Sequence, residues 1–225
     1  MCSTDSILSE PNPNWLQRWK DNNIGWHHVE FNQHLLNHWH ALYLPQGSLV
    51  LAPLCGKSKD LVWLAEQGYR IRGVELSQLA VKAFFEELAL QPLVEPVGHF
   101  ERWSSGPFEI LCGDIFHLDD LDNSDVDAVY DRASLIALNP HQRAGYARLL
   151  INTLPRQSKI LLITMEYPQQ EMTGPPFSVH ESEVLALFEN RFSIRKLHTL
   201  NILQDTERYR DKGVSHIMEQ IYLLK

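Results

Sequence analysis

The chain has 225 residues, and its 28 Asp and Glu residues outnumber its 20 Lys and Arg residues, which gives a net charge of −8 at pH 7. A protein that binds nucleic acid or anionic lipid through a general positive field needs clustered Lys and Arg residues. The excess of acidic residues therefore argues against both partners. No apolar run is long enough to span a bilayer, and the N-terminus has neither the basic nor the apolar region of an export signal. These features predict a cytoplasmic protein with no nucleic-acid or membrane partner.

The size and the cysteine content indicate a single domain without covalent cross-links. At about 150 residues per domain, this length suits one large domain with a sizeable core. The cysteines are Cys2, Cys55 and Cys112. A disulfide framework needs a larger and even number of cysteines. We therefore expect a flexible lead-in over 1–14 and one domain over 15–225.

Hydrophobic periodicity divides this domain into a helical cover over 15–44 and an α/β core over 48–225. In the cover, Trp15, Leu16 and Trp19 fall at helical spacings, as do Phe31, Leu35 and Trp39 further along. Short β-prone runs then alternate with helical patterns, which is typical of right-handed βαβ units and a mainly parallel sheet. The last two strands have no helix between them and should pair as a hairpin, which leaves one strand antiparallel. The seven predicted strands are 48–53, 69–74, 108–112, 127–130, 159–165, 194–201 and 218–224.

Polar residues and a glycine turn follow the first four of these strands. In an open parallel sheet, ligands bind beyond the carboxyl ends of the strands. Gly56 lies in the turn after the first strand, and Glu75 ends the second strand, where an acid can accept both hydroxyls of a ribose. Asp114 follows the third strand and Arg132 the fourth. Jointly these residues predict a nucleoside site, although Glu75 and Asp114 taken singly would more often be helix caps.

The class of nucleoside follows from the missing glycines. A dinucleotide site needs G-x-G-x-x-G, and Gly56 is the only glycine of this turn. A phosphate-binding P-loop needs a glycine five residues before Gly56, where Leu51 stands. The remaining interpretation is a nucleoside with a small anionic group at its other end, such as the carboxylate of S-adenosylmethionine, whose sulfonium cation would also suit an acidic site.

Several short motifs carry a resemblance to a known family. They are WLQRW at 15–19, IGWH at 24–27, PLCGKS at 53–58, GVELS at 73–77, YDRASLIA at 130–137 and GPPF at 174–177. In this order they resemble the thiopurine S-methyltransferase family in its bacterial form, from about Trp15 to the C-terminus. The resemblance implies a Rossmann-like class I methyltransferase fold, with S-adenosyl-L-methionine as co-substrate and no metal.

The resemblance also assigns expected roles to individual residues. It implies cofactor contacts from Trp15, Trp19, Leu54, Gly56, Glu75, Asp114, Ile115 and Arg132. It implies an acceptor site formed by Trp26, Arg132 and Arg208, in which the two arginines are catalytic because a permanent positive charge stabilises a heteroaryl thiolate. The alternative for the three tryptophans is ordinary core packing on an amphipathic helix.

Two other features suggest a metal site and a nucleophile, and the sequence favours neither. His34 and His38 are four residues apart, but no carboxylate or cysteine completes a known metal spacing around them. Cys55 precedes a predicted helix, where a thiol can become a nucleophile. Methyl transfer needs no covalent enzyme intermediate, so a packing role in a tight turn is favoured for Cys55.

The predicted function is methyl transfer from S-adenosylmethionine to the sulfur of an aromatic or heterocyclic thiol, by in-line displacement and without a covalent intermediate. The substrate is then a small aromatic thiol or another soft chalcogen nucleophile, and the protein is expected to act as a monomer. Methylation of selenium or tellurium species is an alternative within the same chemistry. Alternatives of another class are a nicotinamide-linked oxidoreductase and a non-catalytic nucleotide-binding module.

Overall fold

One nine-stranded sheet organises the chain, which the computed structural model describes over residues 13–204 and 206–225. The strand order is β3-β4-β5-β2-β1-β6-β7-β9-β8. The strands are β1 Leu49–Pro53, β2 Arg70–Glu75, β3 Leu93–Val97, β4 Phe100–Ser105, β5 Phe108–Cys112, β6 Val126–Arg132, β7 Lys159–Glu166, β8 Ile194–Asn201 and β9 Met218–Leu224.

Helices precede the first strand and then alternate with strands over most of the chain. They are α1 Pro13–Lys20, α2 Gln33–His38, α3 Asp60–Glu66, α4 Gln78–Glu87, α5 Pro140–Thr153, α6 Glu181–Phe188 and α7 Glu207–Arg210. Short 3-10 helices cover Trp39–Leu42, Ile115–Asp120, Leu135–Ala137 and Gln169–Glu171. Asn139 and Gln142 form a capping box at the start of α5, with Pro140 in the first turn. Residues 1–12 of the predicted lead-in lie outside the described residues.

The sheet is covered on both faces, and β1 shows how the sequence achieves this. All five residues of β1 are buried, and successive side chains of a strand point to opposite faces. Leu51 joins the apolar cluster that contains residues of α5 and α6. Val50 joins a second cluster with residues of α2, α3 and α4. An apolar run without alternation is therefore what a central parallel strand requires.

The prediction of seven strands was wrong, because the structure adds the hairpin β3–β4 at one edge of the sheet. The residues of this hairpin are mostly exposed or half-buried, and β3 carries Pro96, which an edge strand tolerates. The loop between its strands is Gly98-His99, in which Gly98 has a positive φ of 54°. The predicted pairing of the last two strands is confirmed as β8–β9. With β4 included, two strands rather than one run against the direction of β1.

Within residues 13–204 and 206–225, the helices are all too short or too polar to cross a bilayer.

Gly73 in β2 occupies a position where a side chain does not fit. A Cβ added there would lie 2.6 Å from Ile110 Cδ1 and 2.8 Å from Cys55 Sγ. We expect Gly73→Ala to lower the free energy of unfolding by about 1–3 kcal/mol through overpacking, as measured by chemical denaturation. The control is Ile110→Val, which removes the Cδ1 atom and by itself should cost about 0.5–1.5 kcal/mol. The double variant should lose less than the sum of the two; strictly additive losses would contradict the packing explanation.

Candidate functional site

A cleft with about 460 Å³ of open space lies at the carboxyl ends of β1, β2 and β5. Its walls come from the turns after these strands, from the segment that leads into α5 and from α1. The lining residues are Trp15, Leu54, Val74, Leu76, Gly113, Asp114, Ile115, Phe116, Leu138 and Gln142. This is the position that the strand-end rule predicts for a ligand, and four of the expected cofactor residues line it: Trp15, Leu54, Asp114 and Ile115.

Glu75 joins the two turns beside this cleft. The backbone N–H of Gly56 donates to Glu75 Oε2 at 2.8 Å, and the N–H of Ser77 donates to Oε1 at 2.7 Å. The side chain is buried, and burial raises the pKa of Glu75, while the hydrogen bonds from the N–H groups of Ser77 and Gly56 oppose this rise. Each carboxylate oxygen keeps a second lone pair, so both can still accept a hydroxyl.

The turn after β1 has an unusual backbone at two positions. Leu54 has a φ of 45° and Gly56 has a φ of 55°. The left-handed region costs glycine little but strains leucine, and such strain persists where the surroundings enforce it, often at ligand sites. The strained residue is Leu54, which lines the cleft.

Asp114 begins the wall formed by the segment after β5. Its Oδ1 accepts the N–H of Phe116 at 3.0 Å and so caps the 3-10 helix Ile115–Asp120. The cap interpretation is therefore correct for Asp114, and it does not exclude a ligand contact because the residue also lines the cleft.

The three tryptophans of the N-terminal segment form one cluster. Trp26 packs edge-on against Trp15, with ring centroids 5.0 Å apart, and against Trp19, at 5.9 Å. Arg18 lies over the rings of Trp15 and Trp26. Trp19 reaches the turn after β1, where it lies 3.2 Å from the position of a Cβ added to Gly56. Trp15 thus lines the cleft, Trp26 packs on Trp15, and Trp19 packs on Trp26.

Arg132 at the end of β6 is paired with a buried carboxylate. Its Nη1 lies 3.7 Å from Asp60 Oδ2, and the Asp60 side chain is 2 % exposed. The same oxygen accepts the hydroxyl of Tyr130 at 2.9 Å, and Asp60 Oδ1 accepts the N–H of Asn32 at 2.8 Å. Asp60 therefore ties the N-terminal segment, β6 and Arg132 together.

Arg208 lies in α7 and contacts the loop that contains Trp26. Its Nη1 donates to the carbonyl of Gly25 at 2.6 Å and its Nη2 donates to the hydroxyl of Tyr209 at 2.5 Å. Desolvation lowers the pKa of His28, and the positive charges of Arg132 and then Arg208 lower it further. The charges of the two expected catalytic arginines therefore act on the same imidazole.

The structure shows the surroundings of Cys55 and of the pair His34 and His38. Burial raises the pKa of Cys55 well above its ordinary value, so this thiol is protonated at neutral pH, as a packing residue would be. His34 Nε2 lies 2.9 Å from Glu219 Oε2 on β9, and its ring stacks on that of His38.

Sequence reasoning missed several residues of the site. Leu76 and Gly113 follow directly after β2 and β5, so the strand-end rule was a sufficient signal for both. Leu138, Gln142 and Asp60 reach the site through tertiary packing, and no local motif marks them.

Comparison with known proteins assigns this chain to a family. The family model described as Thiopurine S-methyltransferase (TPMT) matches residues 11–225. The chain belongs to the thiopurine S-methyltransferase family. A protein named thiopurine S-methyltransferase from Nitrosospira multiformis is 45 % identical over 210 residues, which cover 93 % of this chain and 96 % of the relative. One of the same name from Xanthomonas axonopodis pv. citri is 46 % identical over 211 residues, which cover 94 % and 97 %.

The fold of this chain is similar to that of solved methyltransferase structures. The 1,6-didemethyltoxoflavin-N1-methyltransferase of Burkholderia thailandensis, solved with S-adenosylhomocysteine, matches with a TM-score of 0.62 and 15 % identity over 95 % of this chain and 86 % of that one. An S-adenosylmethionine-dependent methyltransferase from Thiobacillus denitrificans matches with a TM-score of 0.61 and 18 % identity over 96 % and 98 %. The expected class I methyltransferase fold is thereby confirmed, with a mixed sheet.

The contacts of Asp60 predict a specific order of stability losses. Tyr130→Phe removes one hydrogen bond to Asp60 and should cost about 0.5–1.5 kcal/mol. Asp60→Asn removes the charge opposite Arg132 and points an amide N–H₂ at one of its donors, so we expect a larger loss of about 1–3 kcal/mol. Chemical denaturation of both variants measures these values. Equal losses would mean that the contacts of Asp60 to Arg132 and Asn32 contribute nothing to stability.

Proposed function

We propose that this protein transfers the methyl group of S-adenosylmethionine to the sulfur of a small aromatic or heterocyclic thiol, by in-line displacement and as a monomer. Membership of the thiopurine S-methyltransferase family supports this activity and argues against a nicotinamide-linked oxidoreductase or a non-catalytic module. The observation that carries the proposal is the cleft at the strand ends, with Glu75 beside it.

The residues of the cleft fit the chemistry of an adenosyl group. Val74, Ile115, Phe116 and Leu138 offer apolar walls for a flat base. Asp114 and Glu75 offer carboxylate oxygens for amine and hydroxyl donors, and Trp15 lines one side of the cleft. We propose that Glu75 binds the ribose hydroxyls and that Asp114 and Ile115 flank the adenine. When bound, S-adenosylmethionine supplies an activated methyl group on a positively charged sulfur.

Electrostatics and positioning are the contribution that the side chains make to the chemistry. We propose that Arg132 and Arg208 face the acceptor and favour its thiolate over the neutral thione. Arginine stays protonated throughout, so it stabilises an anion without acting as a base. The guanidinium of Arg132 has five N–H donors. Its ion pair with Asp60 is made through Nη1 at 3.7 Å, so this pair engages only part of the donor set. Asp60 then acts as a positioning residue, because it fixes the guanidinium at the end of β6.

No general base or nucleophile of the protein is part of this proposal. A thiolate is already a strong nucleophile, and holding it in line with the methyl group contributes several kcal/mol on its own. The buried, protonated thiol of Cys55 fits this absence of covalent catalysis.

A panel of acceptors with labelled methyl donor tests the proposed reaction. We expect transfer to aromatic and heterocyclic thiols, with selenium and tellurium species as a second group of soft nucleophiles in the same panel. Binding of S-adenosylhomocysteine without transfer to any member would contradict the proposed acceptor class, and no binding at all would contradict the proposed co-substrate.

Glu75→Gln should weaken S-adenosylhomocysteine binding and also lower the melting temperature. An amide has a single acceptor oxygen, so it loses a charge-assisted contact worth about 1.5–3 kcal/mol, which corresponds to roughly 10- to 100-fold in the dissociation constant. Calorimetry measures the affinity, and thermal unfolding without ligand measures the stability.

Ser77→Ala is the matched control for this variant. It removes only the side-chain cap of α4, in which Ser77 Oγ accepts the N–H of Ala80 at 3.4 Å. It should therefore lower stability by about 0.5–2 kcal/mol and leave the affinity unchanged. If Glu75→Gln behaves in the same way as Ser77→Ala, Glu75 has a structural role alone.

Arg132→Ala should lower kcat/KM by about 100-fold, which is the typical loss when one donor that stabilises a developing charge is removed. Arg132→Lys should retain part of the activity, since it keeps the charge and loses the planar fork. The loss should be larger for thiols of high pKa than for thiols already ionised at the assay pH. The measurement is kcat/KM over a series of aromatic thiols at saturating methyl donor.

Arg70→Ala serves as the control for Arg132, since Arg70 forms an exposed ion pair with Asp125 at the opposite end of β2. It should leave kcat/KM unchanged throughout the series. A loss in Arg132→Ala that is the same for every thiol would indicate that Arg132 positions the acceptor without stabilising its anion.

A further inference from the structure

Three potential metal ligands converge outside the cleft. They are His99 in the loop of the β3–β4 hairpin, and His117 and Asp120 in the 3-10 helix Ile115–Asp120. Their donor atoms all lie within 4.8 Å of one another. In the described ranges 13–204 and 206–225, this is the one group of three such side chains that meets this distance. We call these three residues the His99 cluster.

The distances in the His99 cluster match the edges of a coordination polyhedron. Asp120 Oδ2 lies 3.4 Å from His99 Nε2 and 3.7 Å from His117 Nδ1. Both separations exceed an ordinary N–H···O hydrogen bond of about 2.7–3.2 Å. Zinc–nitrogen and zinc–oxygen bonds of about 2.0–2.2 Å in a tetrahedral site place neighbouring ligand atoms about 3.3–3.6 Å apart. These two separations therefore suit a single ion. For both imidazoles to bind it, their stacked rings must turn so that His99 Nε2 and His117 Nδ1 face the same point.

The backbone holds these donors in place. His117 and Asp120 are three residues apart in a 3-10 helix, whose period of three puts them on one face. A Cβ added to Gly98 would contact Leu121 at 3.5 Å, so the hairpin loop packs on the end of this helix. A Cβ added to Gly113 would lie only 3.1 Å from the carbonyl of His99, which shows how closely the two segments approach. The imidazole rings of His99 and His117 stack with centroids 4.2 Å apart.

We propose that the His99 cluster binds one divalent ion of the late first transition series, such as Zn²⁺, with water completing its coordination. Two imidazoles and one carboxylate are the ligand types that such ions prefer, and calcium and magnesium prefer oxygen ligands throughout. The ion would link the β3–β4 hairpin to the segment that starts at Asp114 and lines the cleft. Its expected effect is therefore on stability, and it takes no part in methyl transfer.

Calorimetric titration of the chelator-treated protein with Zn²⁺ tests this site. We expect saturable binding of one ion per chain and a higher melting temperature with Zn²⁺ present, because the ion binds the folded state. His99→Ala, His117→Ala and Asp120→Asn should each weaken binding by more than about 10-fold, the smallest loss typical of residues that only support a ligand. All three side chains are exposed or partly exposed, so these variants should fold.

Two controls and one spectroscopic measurement locate the ion. His141→Ala removes an exposed histidine outside the His99 cluster, and His38→Ala disrupts the other group of histidine rings, formed with His34 and His198. Both should bind Zn²⁺ as the unchanged protein does. Paramagnetic Co²⁺ should broaden amide resonances of 98–100 and 115–121 first. The proposal is overturned by absence of saturable binding, by undiminished binding in His99→Ala and His117→Ala, or by broadening centred on 34–38.

Discussion

The carboxylate of Glu75 holds together the two turns on which the cleft is built. It accepts one backbone N–H from the turn after β1 and another from the turn after β2. Without it, two buried N–H groups would lack partners, at a cost of about 1–3 kcal/mol each. Helix capping and ligand binding are usually weighed as alternatives for such an acid. The side-chain cap of α4 is Ser77, so the structural role of Glu75 is to join the two turns. On the proposed function the same carboxylate also binds the ligand, so a substitution that disturbs that contact must also disturb the fold.

A second buried carboxylate, that of Asp60, anchors the N-terminal segment. Asp60 accepts the N–H of Asn32 and the hydroxyl of Tyr130 and pairs with Arg132. Trp19 packs on the Gly56 turn, and Arg208 bonds the carbonyl of Gly25. The contacts of Trp19, Gly25 and Asn32 join the N-terminal segment to residues of the proposed site. The segment that precedes the sheet is therefore part of the site's architecture, which explains why WLQRW and IGWH belong to the resemblance.

The sequence predicted those parts of the site that depend on strand ends. Glu75 and Asp114 were found because parallel strands end at a common edge, a constraint that holds whatever the side chains are, whereas Leu54 was assigned through the family resemblance. Asp60 was missed because its partners lie 28 and 70 residues away and meet it only after folding. The β3–β4 hairpin was missed because its strands are largely exposed and one contains Pro96, although the two-residue loop at Gly98 was a usable hairpin signal.

The net charge of the chain does not give the sign of the charge around His28. A chain with a net charge of −8 still brings Arg132 and Arg208 close enough to His28 to lower its pKa. Burial is the largest cause of that lowered pKa, and burial alone would disfavour a thiolate as well. The second cause is the charge of the two arginines, and it is this part of the field that favours an anion at the same place. Asp60 and Glu219 act on His28 in the opposite direction, and their effect is smaller. On the proposed function, the local excess of positive charge near His28 is what lowers the pKa of a bound thiol. This is why the proposed chemistry needs two fixed arginines and no base.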